Sequence, residues 1–210
     1  PARFQDSSLG PIPEGWEVKP IGDHVEAVKG LSYKGKHLGT TGFPLHNLNS
    51  VLEGGGYKDA GIKYYAGEYR ERHLVQPGDL LVANTEQGFD QLLIGYSALV
   101  PRRFGEQGLF SHHLYRVRPT DGSPLSRQFL HFLLCTRRFH DAIAGFSNGT
   151  TVNMLPPDAF LLPRIIIPPK DVVDGFTEMV QTTLNQIESN IEQMRTLISI
   201  RDALLPKLLS

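Results

Sequence analysis

The chain has 210 residues, of which 40% are hydrophobic and 20% are charged, a composition typical of a globular protein with one sizeable core. A net charge of −1 excludes a surface that is basic as a whole, so any nucleic-acid-binding surface has to be local. The single cysteine, Cys135, excludes an intrachain disulfide, and the absence of a long apolar run predicts a cytoplasmic protein with no membrane contact.

Residues 1–168 predict a β-rich core. Glycine, proline and short apolar runs alternate through this part of the chain, which is typical of short strands joined by turns. Pro77-Gly78-Asp79 is a turn signal, because proline restricts φ at one position and glycine permits positive φ at the next. The expected strands are residues 24–29, 80–84, 92–98 and 112–118, and a short buried strand at 165–167.

One helix is predicted between the strands. Apolar residues recur at helical spacing from Ser123 to Ala144, with Ser126 as a candidate N-cap and Gly145 at the end. Pro168-Pro169 then marks a domain boundary.

Residues 169–210 predict a long helix that pairs with another helix. From Asp171, a candidate N-cap, to Leu205 there is no proline, which allows a helix roughly 50 Å long. That length exceeds the diameter expected for the preceding domain, so a helical partner is favoured over packing onto the chain's own domain. Apolar side chains follow in heptad-like steps at Val180, Leu184, Ile187, Ile191, Met194, Ile198, Leu205 and Leu208. The fold class is therefore α+β: a globular mixed α/β domain at 1–168 and a coiled-coil helix at 169–210.

Several local motifs resemble catalytic sequences but lack the required context. Residues 30–36 match the glycine and lysine spacing of a phosphate-binding loop, but His37 replaces the serine or threonine that holds magnesium. Residues 145–149 match a nucleophile elbow, yet a predicted helix precedes them and no histidine follows. His112 and His113 lack the spacing of a metal site. We predict no catalytic residue, no metal site and no bound cofactor.

Several phrases together resemble the specificity subunits of type I restriction-modification enzymes. Each phrase alone is weak, but they occur in the family's order over nearly the whole chain. They are residues 9–18, Ile21-Gly22-Asp23, Gly30, residues 75–82, Ile94-Gly95, residues 114–119, 149–152, 162–169 and 201–210. Two features depart from the family: residues 171–174 lack its common Glu-Gln, and no internal repeat is present, so the chain corresponds to one unit of a two-unit subunit.

The resemblance implies a non-enzymatic function. In the family, each target recognition domain binds one part of a split DNA target, and the long helices pair antiparallel and dock methyltransferase subunits. The partners would supply S-adenosylmethionine and methyl transfer, and restriction subunits would add ATP- and magnesium-dependent cleavage. A lone unit pairs either with a second copy or with the other half of a longer subunit; both remain open.

Residue type indicates the candidate DNA contacts. Lysine and arginine bind phosphates, and arginine, asparagine and glutamine bind base edges. The candidates are Lys34, Lys36, His37, Lys58, Lys63, Arg70, Arg72, Asn84, Thr85, Gln87, Gln91, Arg102 and Arg103. The alternative function is an assembly scaffold that associates through its helix and has no sequence-specific DNA binding of its own.

Overall fold

The computed structural model describes residues 3–87, 92–146 and 152–208. Within these ranges no helix combines the length and apolar character needed to cross a membrane. The strands are β1 Phe4–Gln5, β2 Ile12–Pro13, β3 Glu17–Pro20, β4 Val25–Lys29, β5 Leu38–Gly39, β6 Phe43–His46, β7 Lys63–Tyr65, β8 Leu74–Val75, β9 Leu80–Ala83, β10 Thr85–Gln87, β11 Ser97–Leu99, β12 Gly108–Phe110, β13 Leu114–Pro119, β14 Val152–Met154 and β15 Arg164–Ile167. The helices are α1 Arg127–Leu134, α2 Arg137–Ala144, α3 Pro157–Leu161 and α4 Lys170–Leu208.

The centre of the domain is an antiparallel sheet in the order β11-β9-β13-β4. All four residues of β9 are buried, because both faces of this strand are covered. A strand buried on both faces needs no alternation of apolar and polar residues, which explains the uninterrupted run Leu80-Leu81-Val82-Ala83.

The two faces of this sheet contribute to two hydrophobic cores. One face packs against the helices, where Leu80 and Val82 join Leu130, Ile143 and Phe160. The other face packs with residues of the second sheet, and this core includes Leu81, Leu114 and Phe110. The central sheet therefore lies between the helices on one face and the second sheet on the other.

The second sheet is mixed and has the order β5-β7-β6-β12-β8. Its β6–β12 pair is parallel, and its other pairs are antiparallel. Leu45, Tyr65 and Leu109 are buried on it together with Leu31. The long loops of the N-terminal part of the chain connect the strands of this sheet.

The predicted helix from Ser123 to Ala144 is two helices, which corrects the sequence-based prediction. Ser126 does cap the first, since its Oγ accepts a hydrogen bond from Phe129 N at 3.0 Å. Thr136 then starts α2 by accepting one from Phe139 N at 3.3 Å. A side-chain cap of this kind satisfies the free amides of a new helix and so permits a break. Gly145 follows α2 as predicted.

The predicted strand at 92–98 is mostly a turn. Gly95 adopts φ 83°, and Tyr96 N donates to Leu93 O at 3.0 Å, so the chain reverses direction before the short strand β11 begins at Ser97. The apolar residues that suggested a strand are explained by burial, because Ile94 is fully buried in the core.

Helix α4 spans 39 residues, which corresponds to about 58 Å. It begins at Lys170, one residue before the predicted cap Asp171, and Pro169 O accepts from Val172 N and Val173 N. It also continues past Leu205, the end of the predicted proline-free stretch, through Pro206 to Leu208. A proline this close to the end removes one of the last backbone hydrogen bonds and leaves the preceding turns intact. The predicted α+β class is confirmed.

Candidate functional site

Most of the predicted cationic residues lie around the second sheet. Strand β5 pairs with β7 through Leu38 and Tyr65, so the loop before β5 lies beside β7. Ala66 N also donates to His37 O at 3.1 Å. Six predicted side chains therefore lie on this sheet or in the loops that connect its strands. They are Lys34, Lys36, His37, Lys63, Arg70 and Arg72. All are exposed except His37, which is half-buried. Such a set of cations is suited to phosphate groups.

A row of aromatic rings connects this sheet to the turn between β12 and β13. His37 lies 5.9 Å from Tyr65, and Tyr33 lies 6.3 Å from both Tyr65 and His112. The rings of His112 and His113 are 3.9 Å apart. Loop 31–37 and turn 111–113 are therefore parts of one continuous surface.

The same turn adjoins the strand pair β10–β14. Asn84 N, just before β10, donates to His113 O at 3.0 Å. On the other strand, Met154 Sδ lies 4.0 Å from Lys29 Nζ.

Burial lowers the pKa of His113, and the charges of His112 and Lys29 lower it further, so His113 is neutral at neutral pH. A neutral imidazole can both donate and accept hydrogen bonds.

The pair β10–β14 joins two segments that are far apart in sequence. Its register places Thr85 opposite Met154, Glu86 opposite Asn153 and Gln87 opposite Val152. Gln87 is thus on this strand pair, although its side chain is not among those described, and Gln91 lies outside the described residues. The pair therefore brings residues 85–87, which belong to the predicted polar group, beside β14, whose first residue, Val152, is the last residue of the family-like phrase at 149–152.

Asn84 and Thr85 are buried, so their polar groups are directed into the protein. Asn84 is fully buried, and its Nδ2 donates to His112 O at 3.1 Å. Thr85 is 2% exposed, and its Oγ1 donates to Asn84 Oδ1 at 2.6 Å. Both side chains therefore support turn 111–113 and the start of β10, and neither is free in this conformation to contact a base.

Arg103 does not belong to the exposed cations either. Its side chain is only 5% exposed, and it forms ion pairs with Asp59 and with Glu188 of α4. Arg195 of α4 pairs with the same Asp59 at 2.9 Å. Burial opposes the charge of Arg103, but the hydrogen bond with Asp59 and the carboxylate of Glu188 outweigh it and raise the pKa. This residue fastens α4 to the domain.

The remaining two predicted cations are at the surface near this ion-pair cluster. Arg102 is exposed on the same 3-10 turn as Arg103, and Lys58 is exposed between Tyr57 and Asp59. The predicted DNA-binding residues thus separate into one group around the second sheet and another group beside α4.

Helix α4 packs on its own domain at its beginning and leaves much of its apolar surface exposed farther on. Phe176 contacts the rings of Phe129 and Phe132, and Ser126 hydrogen bonds to Thr177 at 2.6 Å. Of the predicted pairing residues, Val180, Leu184 and Ile191 are half-buried and Ile187, Met194, Ile198 and Leu205 are exposed; the side chain of Leu208 is not described. Leu197, Ile200 and Leu204, which sequence analysis did not select, are exposed as well.

A groove of about 1220 Å³ lies between α4 and the domain. Leu184, Ile187 and Ile191 line it on the helix side, and Pro77 and Phe132 are among the residues that line it on the domain side. The heptad-patterned face of α4 therefore borders a space rather than a filled core.

Sequence analysis did not select Lys29, Tyr33, His112 and His113 as contacts. The sequence signal that could have indicated them is the polar turn His112-His113 between two apolar strands. Their proximity to β10–β14 depends on pairings between distant segments.

Comparison with known proteins supports one family. No protein-family model matches the chain. It is 27% identical over 209 residues, 98% of its length, to the type I restriction enzyme MjaIX specificity subunit of Methanocaldococcus jannaschii, of which the match covers 46%. It is 23% identical over 187 residues, 87% of its length, to the EcoKI specificity subunit of Escherichia coli, of which the match covers 39%. The chain thus spans about half the length of the curated relatives it matches.

Solved structures show the same fold. An S subunit of a type I restriction-modification system from M. genitalium superposes with a TM-score of 0.60 at 16% identity, over 90% of this chain and 43% of that one. The HsdS subunit from Thermoanaerobacter tengcongensis gives a TM-score of 0.54 at 14% identity, over 94% and 47%. The predicted resemblance to type I specificity subunits is confirmed.

Proposed function

We propose that this chain, similar to one half of a type I restriction-modification specificity subunit, recognises one part of a split duplex DNA target. The observation that carries the proposal is the extent of the similarity, which covers nearly the whole chain in both sequence and fold. Residues 1–168 form the recognition domain, and residues 169–210 contain the helix α4 (Lys170–Leu208), which sets the distance to a second domain.

The exposed cations around the second sheet contact the DNA backbone, and the strand pair β10–β14 approaches the bases. Lys34 and Lys36 belong to the first group, which a row of rings connects to turn 111–113. The net charge of −1 implies few phosphate contacts and therefore weak nonspecific binding. Arg103, whose charge is taken up by Asp59 and Glu188, takes no part in this contact.

The long helix assembles the complex, and the chain itself catalyses no reaction. Its exposed apolar side chains pair with the helix of a second copy or with that of the other half of a longer subunit. Methyltransferase subunits dock on the paired helices and bring S-adenosylmethionine; restriction subunits bring the ATP- and magnesium-dependent step.

The test is discrimination between duplexes by the chain assembled with its methyltransferase. Mapping of methylated bases in cells that carry the complete system identifies the target. We expect the assembled complex to bind that duplex more tightly than a scrambled duplex of equal length. Equal affinities would contradict the proposal.

Charge reversal beside the second sheet gives a more specific test of the proposed DNA contacts. The double variant Lys34→Glu, Lys36→Glu should weaken binding to both duplexes and reduce the salt dependence by roughly one phosphate contact per residue. The matched control is Lys19→Glu, Lys170→Glu, which reverses two exposed lysines away from the second sheet; Lys19 pairs with Glu17 within β3, and Lys170 pairs with Asp174 within α4. The control should bind DNA as the wild type does.

The alternative is an assembly scaffold, which the exposed apolar residues of α4 favour. A scaffold would assemble with methyltransferase normally and show no preference for any duplex. Loss of DNA binding in the Lys34, Lys36 variant with assembly intact distinguishes DNA recognition from the scaffold.

A further inference from the structure

Glu86, in the middle of β10, holds a buried carboxylate that is surrounded by backbone amides. The residue is 4% exposed. Its Oε1 accepts a hydrogen bond from Leu92 N at 2.5 Å, and its Oε2 accepts from Leu93 N at 3.1 Å and Ile94 N at 3.3 Å. A buried carboxylate is costly unless hydrogen bonds satisfy it, and three amides in one turn meet that need.

The turn that supplies these amides is anchored in the core of the domain. Ile94 is fully buried in the main core. Gly95 N donates to Ala83 O at 2.8 Å, which ties the turn to the central strand β9. Glu86 therefore attaches β10 to an element whose own position is determined by the core.

Through β10 the same carboxylate is connected to β14. Glu86 lies opposite Asn153 in the antiparallel pair, and this two-stranded sheet has no further strand beside it among the described residues. A two-stranded pair is marginally stable by itself, so its orientation depends on such attachments.

We propose that Glu86 is a positioning residue for DNA recognition, which fixes the orientation of the strand pair β10–β14 relative to the recognition domain. This inference rests on the proposed function. Replacing the carboxylate by an amide places an NH₂ group among three N–H donors, which frees the strand pair. Base contacts require fixed geometry, whereas the phosphate-binding lysines are carried by a different sheet.

The experiment compares Glu86→Gln with a matched control, Asp79→Asn, in the complex with methyltransferase. Asp79 is a fully buried carboxylate at the other end of β9 that accepts from Gln76 N at 2.9 Å and pairs with Arg118. Dissociation constants are measured for target and scrambled duplexes, with melting temperature as the index of stability.

For Glu86→Gln we expect the ratio of the two dissociation constants to fall by about tenfold, the size of a lost base contact, with scrambled-duplex affinity changed less than about twofold. Asp79→Asn should lower the melting temperature and keep the ratio within about twofold of the wild type. The Asp79 control separates loss of stability from loss of recognition.

The outcomes separate the two proposals. A wild-type complex without discrimination refutes the proposed function; a discriminating wild type with an unchanged ratio in Glu86→Gln refutes the role of Glu86 alone. Equal weakening on both duplexes also refutes that role. Should Glu86→Gln not fold, Glu86→Asp decides: it keeps the charge on a shorter side chain, and an unchanged ratio overturns the proposal.

Discussion

Arg103 forms an ion pair with Glu188, a residue 85 positions later in the chain and on the long helix. Together with the Arg195–Asp59 pair, this contact holds the middle of α4 on the domain, whereas the contacts at Phe176 and Ser126 hold only its first turns. In the proposed function the direction of α4 decides where a second recognition domain lies. Arg103 thus links the domain structurally to the long helix.

Removing the charge of Glu188 should loosen this link. Glu188→Gln leaves the nearly buried Arg103 with Asp59 alone, and we expect a loss of about 2 kcal/mol, between the values for buried and exposed pairs. Chemical denaturation measures it. Glu192→Gln, an exposed glutamate one turn later, is the control and should change stability by less than about 0.5 kcal/mol. Equal effects of the two variants would contradict the role of the ion pair.

Substitutions on the exposed heptad face should prevent helix pairing. Ile187 and Ile198 are 48% and 43% exposed, and aspartate at both positions would bury two carboxylates in any helix–helix interface. Sedimentation should then show a monomer where the wild type self-associates, with an unchanged circular dichroism spectrum. The control Thr182→Asp, Thr196→Asp changes exposed positions on the opposite side of the helix and should not alter association. A wild-type chain that remains monomeric at high micromolar concentration would exclude self-association. Pairing with the other half of a longer subunit would then be the remaining alternative.

Acidification should destabilise the domain through two buried histidines. Burial lowers the pKa of both His46 and His131 from 6.5 to about 4, so each is neutral in the folded state and takes up a proton more readily when unfolded. Stability is therefore complete above pH 6.5 and declines as the pH falls from there toward 4. Between pH 7 and 5 each residue should contribute a loss of about 2 kcal/mol.

Urea denaturation at several pH values tests this. The variant His131→Asn should show a flatter dependence than the wild type over the same interval, whatever its stability at pH 7. A variant profile that parallels the wild type would exclude His131 as a source of the acid sensitivity.

A methyl group at Gly30 should disturb turn 111–113. A Cβ there would collide with the backbone of Phe110 and Ser111, so Gly30→Ala forces the turn to move. We expect a destabilisation of about 2 kcal/mol, as for other overpacked sites. Gly35→Ala, where the Cβ meets nothing within 4 Å, is the control and should be nearly neutral. Thermal melting of both variants provides the comparison.

Local sequence patterns predicted the elements that depend on local interactions. The buried strand at 80–83, the turn at Gly78 and the strand of 164–167 follow from apolar runs and turn residues, and the long helix follows from the absence of breakers. Where prediction missed, a local competitor decided: Thr136 restarted a helix, and Gly95 turned a run that appeared extended.

The candidate site is harder to predict from the sequence, because residue type alone does not show which side chains are buried. Lys34 and Arg70 are exposed as expected, whereas Asn84 is buried and Arg103 is nearly so. Residue type indicates what a side chain can bind. It does not indicate whether that side chain is already engaged in hydrogen bonds or ion pairs within the protein, as Asn84 and Arg103 are.

The sequence by itself determined the family resemblance, the α+β class and the apolar periodicity of α4, since each depends on residues that are near one another in the chain. The tertiary structure alone decided that β10 pairs with β14, that Glu86 is held by the amides of residues 92–94, and that Arg103 belongs to α4. These relationships join distant segments through packing of the core, and the free energy that selects such contacts comes from burial in the whole fold, which no local pattern encodes.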